Sequence, residues 1–119
     1  MFSKDAGTGV LQGTIELLVL KRLSWGPMHG YGIASWIERA TGDVLRVEEG
    51  SLYPAPYRMT RNGWIQGKWG LSENNRRAKY YRLTAAGRRE FEAQAEGWER
   101  LSGAVNRAVT SSESPDGIA

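Results

Sequence analysis

Positively charged side chains are concentrated in one segment of this 119-residue chain, and phosphate recognition is the chemistry such a segment can perform. Residues 58–89 hold nine Lys or Arg residues against Glu73 alone, a net charge of +8, whereas the rest of the chain carries −5. A local basic stripe on a mildly acidic body is typical of a polyanion-binding protein. The charge alone favours two interpretations equally: a polyanion-binding surface, and a solvated surface on which basic residues are scattered.

The residue types needed for catalysis or metal binding are not assembled in the sequence. It contains no cysteine, so neither a disulfide nor a thiolate zinc site can form. His29 is the only histidine, and we expect it to be structural, at the start of a helix. Glu48 and Glu49 are adjacent and have no nucleophile as a companion, so a helix-dipole role is the better interpretation. We therefore expect no enzyme activity, no metal and no cofactor.

Apolar spacing predicts the first two helices, which must position the basic segment. The first helix begins at Leu11, where an i, i+4, i+7 pattern starts, and ends before residues 25–27, the Trp-Gly-Pro sequence. The second runs from about His29 to Thr41, with Gly42 as its C-terminal cap.

The third predicted helix contains two prolines near its start. If it begins at Ser51, a plausible N-cap, Pro56 falls in the second turn, where its missing N–H and its ring disrupt the helix. If it begins near Pro54, both prolines fall in the first turn, where N–H groups have no intrahelical partner. We therefore predict a kinked or delayed start, and an end near Asn62.

Two strands and a loop, together a wing, follow the third helix. The strands are predicted from Trp64 to Trp69 and from Ala78 to Leu83. The polar stretch 70–77 between them is expected to be a loop too long for a tight hairpin, shaped by asparagines that tolerate left-handed backbone.

A long final helix is predicted after Thr84, its N-cap residue. Apolar residues recur at heptad spacing along it, which is typical of a helix that pairs with another. We expect these residues to form a dimer interface: Phe91, Ala95, Trp98, Leu101 and Val105.

Three helices followed by a wing is the order of a winged helix-turn-helix, a mainly α fold with a small β-hairpin wing. The basic segment covers the second half of the third helix and the wing, so charge and architecture indicate the same surface for DNA. We divide the chain into a flexible arm (1–10), a winged helix-turn-helix domain (11–84), a dimerisation helix (85–109) and a disordered tail (110–119).

The sequence resembles the PadR family of transcriptional regulators, in particular its short branch with a single C-terminal helix. The combination of HGYGI, GSLYP and the basic KYYRLT stretch carries this resemblance. The matching stretches are LQGTIELLVLKRLSWGPMHGYGIASWIERATG (11–42), VEEGSLYPA (47–55), NGWI (62–65) and SENNRRAKYYRLTAAG (72–87).

The resemblance implies a homodimer that binds a palindromic operator on double-stranded DNA, usually as a repressor. We expect a cytoplasmic location because the sequence has no apolar run of membrane-spanning length, no signal-peptide pattern and no cysteine. It places two tyrosines, one recognition-helix serine and several basic residues at the DNA, and we add Arg61, one helical turn after Arg58. The predicted DNA-binding residues are Tyr31, Ser51, Tyr53, Arg58, Arg61, Arg76, Arg77 and Lys79. A small aromatic effector that contacts Trp98 at the dimer interface is a further expectation.

The third helix departs from the family pattern. Pro56 stands where the family usually has leucine, and Met59-Thr60 replaces Leu-Glu. The operator sequence of a relative therefore cannot be transferred to this chain. Two alternatives stay open: an RNA-binding winged helix that uses Tyr57 and Tyr80 for base stacking, and a protein-interaction module that pairs through its final helix.

Overall fold

The computed structural model describes residues 8–47 and 54–115. Two predicted DNA-binding residues, Ser51 and Tyr53, lie outside the described residues, as does the Glu48-Glu49 pair. Within the described residues the chain forms four helices and a three-stranded antiparallel sheet. The expected fold class, a winged helix-turn-helix with a long C-terminal helix, is confirmed.

Helix α1 spans Thr8–Leu23 and lies at the centre of the domain. Val19, Leu20 and Leu23 are buried on it, as expected for a helix with apolar residues on most sides. It begins three residues before Leu11, because backbone hydrogen bonding can extend a helix past the first residue of an apolar pattern. The predicted arm therefore overlaps its first turn.

Helix α2 spans Gly30–Ala40, and His29 is its N-cap. The imidazole Nδ1 of His29 accepts a hydrogen bond from the N–H of Gly32 at 3.0 Å, so the structural role expected of this histidine is confirmed. Ile33 and Ile37 face the core. Gly42 follows the helix with φ +59°, a conformation that glycine adopts without steric penalty.

Helix α3 spans Pro54–Arg61, so the delayed start is the alternative that the structure adopts. Both prolines lie in the first turn, where no intrahelical hydrogen bond is lost. Ala55 and Met59 are buried in the core, where α3 packs against α1 and β2. Methionine fills irregular core space well, which explains why Met59 can take a position that leucine usually holds.

The sheet has three strands in the order β1-β3-β2: β1 (Met28–His29), β2 (Ile65–Leu71) and β3 (Arg77–Leu83). The register of β2 and β3 runs from Ile65 opposite Leu83 to Leu71 opposite Arg77. The expected 70–77 loop is therefore wrong, because strand pairing leaves only residues 72–76 as the connection. Asn75 in that connection has φ +59°, as expected of a turn-forming asparagine.

Helix α4 spans Ala85–Val109, the range predicted for the final helix. The Thr84 hydroxyl accepts from the N–H of Gly87 at 3.0 Å and donates to the carbonyl of Gly63 at 2.6 Å. The start of α4 is thereby fixed to the turn between α3 and the wing. A Cβ at Gly87 would collide with the carbonyl oxygen of Trp64, so glycine is required at this close approach.

Candidate nucleic-acid interface

The solvent-facing side of α3 consists of the residues that are not buried in the core. Ala55, Pro56 and Met59 are buried, and this leaves Tyr57, Thr60 and Arg61 as the exposed residues of the helix. Tyr57 is 67% exposed, and Thr60 and Arg61 are exposed beside it. Positions 57, 60 and 61 have i, i+3, i+4 spacing and therefore share one helical face.

Arg61 and Tyr57 also contact each other. The guanidinium carbon of Arg61 lies 5.7 Å from the centroid of the Tyr57 ring, a cation–π contact at the protein surface. Sequence reasoning named Arg61 but gave Tyr57 only to the RNA alternative, and it missed Thr60 as an exposed position. The i, i+4 spacing of the apolar residues Ala55 and Met59 is the sequence signal that would have identified the opposite, exposed face.

Arg58 lies in a different environment from Arg61. Its Nη2 is 3.5 Å from Oε1 of Glu16 on α1, and the two side chains are only 32% and 15% exposed. The pair ties α3 to α1 at the edge of the core. The structure makes Arg61 the exposed arginine of α3 and Arg58 the one with a carboxylate partner, a difference that the residue types alone do not reveal.

Tyr31 lies in the first turn of α2 and is 77% exposed. The position of Tyr31 is set by His29, two residues before it, which caps α2 and pairs with Tyr80 of β3 in the sheet. Because β1 and α2 are contiguous, Tyr31 lies close to the wing. Its side chain is available for a partner on this side of the protein.

The wing carries three of the predicted DNA-binding residues in exposed positions. Arg76 lies in the 72–76 connection, where its N–H is bonded to the Ser72 hydroxyl at 3.3 Å. Arg77 and Lys79 lie two residues apart on β3, so both project from the same face of the sheet.

One carboxylate lies among these cations. Oε2 of Glu73, in the 72–76 connection, is 3.5 Å from Nε2 of His29. Since Nδ1 of His29 accepts from the backbone of α2, Nε2 carries the proton and donates to Glu73. A backbone hydrogen bond, and secondly His29, hold the pKa of Glu73 below its usual value. The tip of the wing is thus tied to the start of α2.

Tyr80 is not available as a free stacking surface. It is partly buried, its ring packs edge-on against His29 with 5.2 Å between centroids, and its hydroxyl donates to the carbonyl of Leu71 at 2.9 Å. The expectation that Tyr80 is an exposed aromatic is wrong, which removes half of the basis for the RNA alternative.

The apolar stripe of α4 is only partly covered. Phe91 packs against the core of its own chain, and Ala95 is partly buried. Trp98, Leu101 and Val105 are about half exposed. Between α1 and α4 lies an open groove of about 290 Å³, lined by Gly13, Thr14, Leu17, Gln94, Gly97, Trp98 and Leu101.

Metal-binding clusters and membrane-spanning helices are both absent from the part of the chain that the structure describes. It holds no group of three or more His, Cys, Asp or Glu side chains that could bind a metal ion. None of its helices combines the length and the apolar character that crossing a bilayer requires.

The chain matches part of a longer curated protein. The chain is 37% identical over 98 residues to an uncharacterised 37.1 kDa protein in transposon TN4556 of Streptomyces fradiae. The alignment covers 82% of this chain but only 27% of that protein, so the chain spans about a quarter of its length.

Solved structures of transcriptional regulators share the fold over nearly their full length. A transcriptional regulator from Clostridium thermocellum is 30% identical with a TM-score of 0.74, over 83% of this chain and 96% of that one. A PadR-like transcriptional regulator from Bacillus cereus is 28% identical with a TM-score of 0.69, over 88% and 96% of the two chains. The transcriptional regulator PadR-like family matches residues 19–93, more than half of the chain. The protein therefore belongs to the PadR-like family of transcriptional regulators.

Proposed function

We propose that the protein is a homodimeric, sequence-specific DNA-binding repressor that recognises a palindromic operator and acts in the cytoplasm. The observation that carries this proposal is the exposed face of α3, formed by Tyr57, Thr60 and Arg61 next to a wing with exposed basic residues. A helix fits the major groove and can present such side chains to base edges. The family's transcriptional role agrees with this surface.

The contacts divide into those that fix the position and those that specify the sequence. Arg76, Arg77 and Lys79 on the wing are suited to the phosphate backbone or the minor groove. Arg61 offers a planar guanidinium that can bind guanine through two hydrogen bonds. Tyr31 can donate its hydroxyl to a phosphate. The predicted contacts from Ser51, Tyr53 and Arg58 remain part of the proposal.

Selection from a pool of random duplexes tests this function directly. We expect the protein to enrich a palindrome with half-sites about one helical turn apart. The double variant Arg76→Ala, Arg77→Ala should bind the selected duplex more weakly and with a shallower salt dependence, by about one unit of slope for each phosphate that is no longer neutralised. The matched control is Arg100→Ala, Arg107→Ala, which removes the same charge from exposed positions on α4 and should bind as the wild type does.

The other outcomes of that selection are equally decisive. Salt-sensitive binding without any enriched sequence would refute sequence-specific recognition. Absence of binding to duplex DNA, together with binding to single-stranded RNA or to a protein, would favour the interaction-module alternative.

The homodimer is supported by the uncovered apolar stripe on α4. Trp98, Leu101, Val105 and Val109 leave an apolar strip on the helix exposed in the single chain, and such a strip is stabilised when a second copy covers it. Sedimentation velocity should give a dimer for the wild type and a monomer for Leu101→Glu. Arg107→Ala, on the same helix, should remain dimeric.

Release by a small aromatic effector is supported by the groove beside Trp98. Its volume of about 290 Å³ is near the lower end for small-molecule pockets. Titration calorimetry with planar aromatic compounds should detect binding that Trp98→Ala abolishes and that reduces affinity for the operator. Binding that is equal in Trp98→Ala would place the ligand elsewhere.

A further inference from the structure

One face of the wing continues past the hydrophobic core as an exposed surface. Near the core this face is formed by Ile65 and Leu83, both buried. Towards the tip the same face carries Trp69, 55% exposed, and Leu71, 64% exposed. Sequence reasoning assigned no role to Trp69. Because Trp69 is largely exposed, its indole contributes little to the core, and packing does not explain a tryptophan near the tip of the wing.

Arg77 reaches across the sheet to this indole. The register places Arg77 directly opposite Leu71, and Trp69, two residues before Leu71 on β2, is the diagonal neighbour of Arg77. The guanidinium carbon nevertheless lies 4.4 Å from the centroid of the Trp69 ring, the shortest cation–π distance in the described residues. Diagonal neighbours are within reach of long and aromatic side chains. In the described part of the chain no carboxylate forms an ion pair with Arg77.

Lys79 is the natural comparison because it lies directly opposite Trp69. Its side chain turns away from the indole and lies over Gly67, where the missing side chain leaves room for it. Its Nζ is 6.0 Å from the Tyr81 ring. Arg77 therefore contacts the face of the indole, although Lys79 is the residue paired directly with Trp69 in the strand register.

A cation–π contact restricts a guanidinium without occupying its N–H donors. The N–H donors of arginine lie in the guanidinium plane, so a ring against the flat face leaves the edge free for an acceptor. An exposed arginine otherwise loses side-chain entropy when it binds. A guanidinium already confined by Trp69 loses less of that entropy on contact with DNA.

We propose that Trp69 is a positioning residue for DNA binding, whose indole holds the guanidinium of Arg77 in the orientation that contacts the duplex. The proposal rests on the DNA-binding function proposed above. Trp69 acts here through Arg77, so its contribution disappears when Arg77 is absent. A Trp69 that touches DNA itself, or that only stabilises the wing, contributes with or without Arg77.

Substitutions that preserve bulk separate the aromatic face from simple packing. Trp69→Phe keeps a ring, and Trp69→Leu keeps an apolar side chain without one. Using fluorescence anisotropy with a labelled duplex from the random-pool selection, we expect Trp69→Phe to bind within about twofold of the wild type. We expect Trp69→Leu to bind about two- to fivefold more weakly, the size of an exposed cation–π contact. Thermal unfolding of both variants checks that the wing remains folded.

The decisive measurement is a double-mutant cycle. In the Arg77→Ala background, Trp69→Leu should change the affinity by less than about 1.5-fold, because the group it positions is gone. In the Lys79→Ala background, which is the matched control, Trp69→Leu should keep its full effect. Equal effects of Trp69→Leu in all three backgrounds would overturn the proposal, and so would a Trp69→Phe variant as weak as Trp69→Leu.

The cycle also separates this proposal from the proposed function. If the wild type binds no duplex, both are refuted. If the wild type binds the duplex and the effects of Trp69→Leu and Arg77→Ala simply add, only the role of Trp69 is refuted.

Discussion

The two arginines of α3 are expected to contribute to stability by different amounts. Arg58 is partly buried against Glu16 at 3.5 Å, whereas Arg61 is exposed. An exposed ion pair contributes about 0–1 kcal/mol, and breaking a fully buried one costs about 3–5 kcal/mol. The Arg58–Glu16 pair lies between these limits, so we expect Arg58→Ala to lower the free energy of unfolding by about 1–2 kcal/mol.

Arg61→Ala removes a side chain whose described contact is the exposed ring of Tyr57. The expected change in the free energy of unfolding is below about 1 kcal/mol. Its affinity for the selected duplex should fall by roughly 5- to 150-fold if it binds a base through two hydrogen bonds. Arg61→Lys should recover little of this loss, because an ammonium group lacks the planar pair of donors.

Thermal unfolding at fixed protein concentration is the assay for stability, since dimerisation makes the midpoint depend on concentration. The Arg58→Ala midpoint should fall by roughly 4–8 °C, and that of Arg61→Ala by no more than about half as much. Adding Glu16→Gln to Arg58→Ala should restore part of the loss, because it neutralises the carboxylate left without its arginine. An Arg61→Ala variant as unstable as Arg58→Ala would refute this interpretation of α3.

The contacts that orient the wing and α4 give three more testable expectations. His29→Ala should lower the free energy of unfolding by about 0.5–2 kcal/mol through loss of the α2 cap, and His29→Asn, which retains a capping side chain, should recover much of it in urea unfolding. The folded-state pKa of Glu73 is lowered, so the stabilisation from its carboxylate is present above the ordinary glutamate pKa of about 4.3 and is lost as the pH falls through the lower folded-state value. Glu73→Gln should not show this loss of stability at acid pH when unfolding is measured from pH 7 to pH 3. Gly87→Ala should destabilise the protein by more than about 2 kcal/mol, because its Cβ meets the carbonyl of Trp64, whereas Gly103→Ala, at a helical position with ordinary contacts, should stabilise it by up to about 1 kcal/mol in the same assay.

Local signals in the sequence were sufficient for the helices and for most of their ends, the start of α1 being the exception. Thr84 and Gly42 are caps whose chemistry acts within one helical turn, so their residue types alone predict them. The delayed start of α3 follows in the same way from the backbone restrictions of two prolines. Each of these features depends on neighbours in the sequence.

Features that depend on distant residues could not be predicted in this way. Strand β1 has two residues, too few for an alternating pattern, and exists because β3 pairs with it. The length of the hairpin was underestimated because residues 70–77 are polar, while the pairing of Leu71 with Arg77 is set by the register. The partial burial of Arg58 depends on Glu16, which lies on another helix.

The candidate interface shows the same division at the level of side chains. Sequence reasoning identified basic residues by type, but type does not distinguish an arginine with a carboxylate partner from one that is exposed or stacked on a ring. In this chain Arg58 is paired with Glu16, Arg61 lies near Tyr57 and Arg77 lies on Trp69. Three arginines of equal formal charge therefore differ in how freely they can move to meet a phosphate or a base. The net charge of the basic segment does not distinguish these environments, and they are the reason that we expect the three arginines to contribute differently to DNA binding.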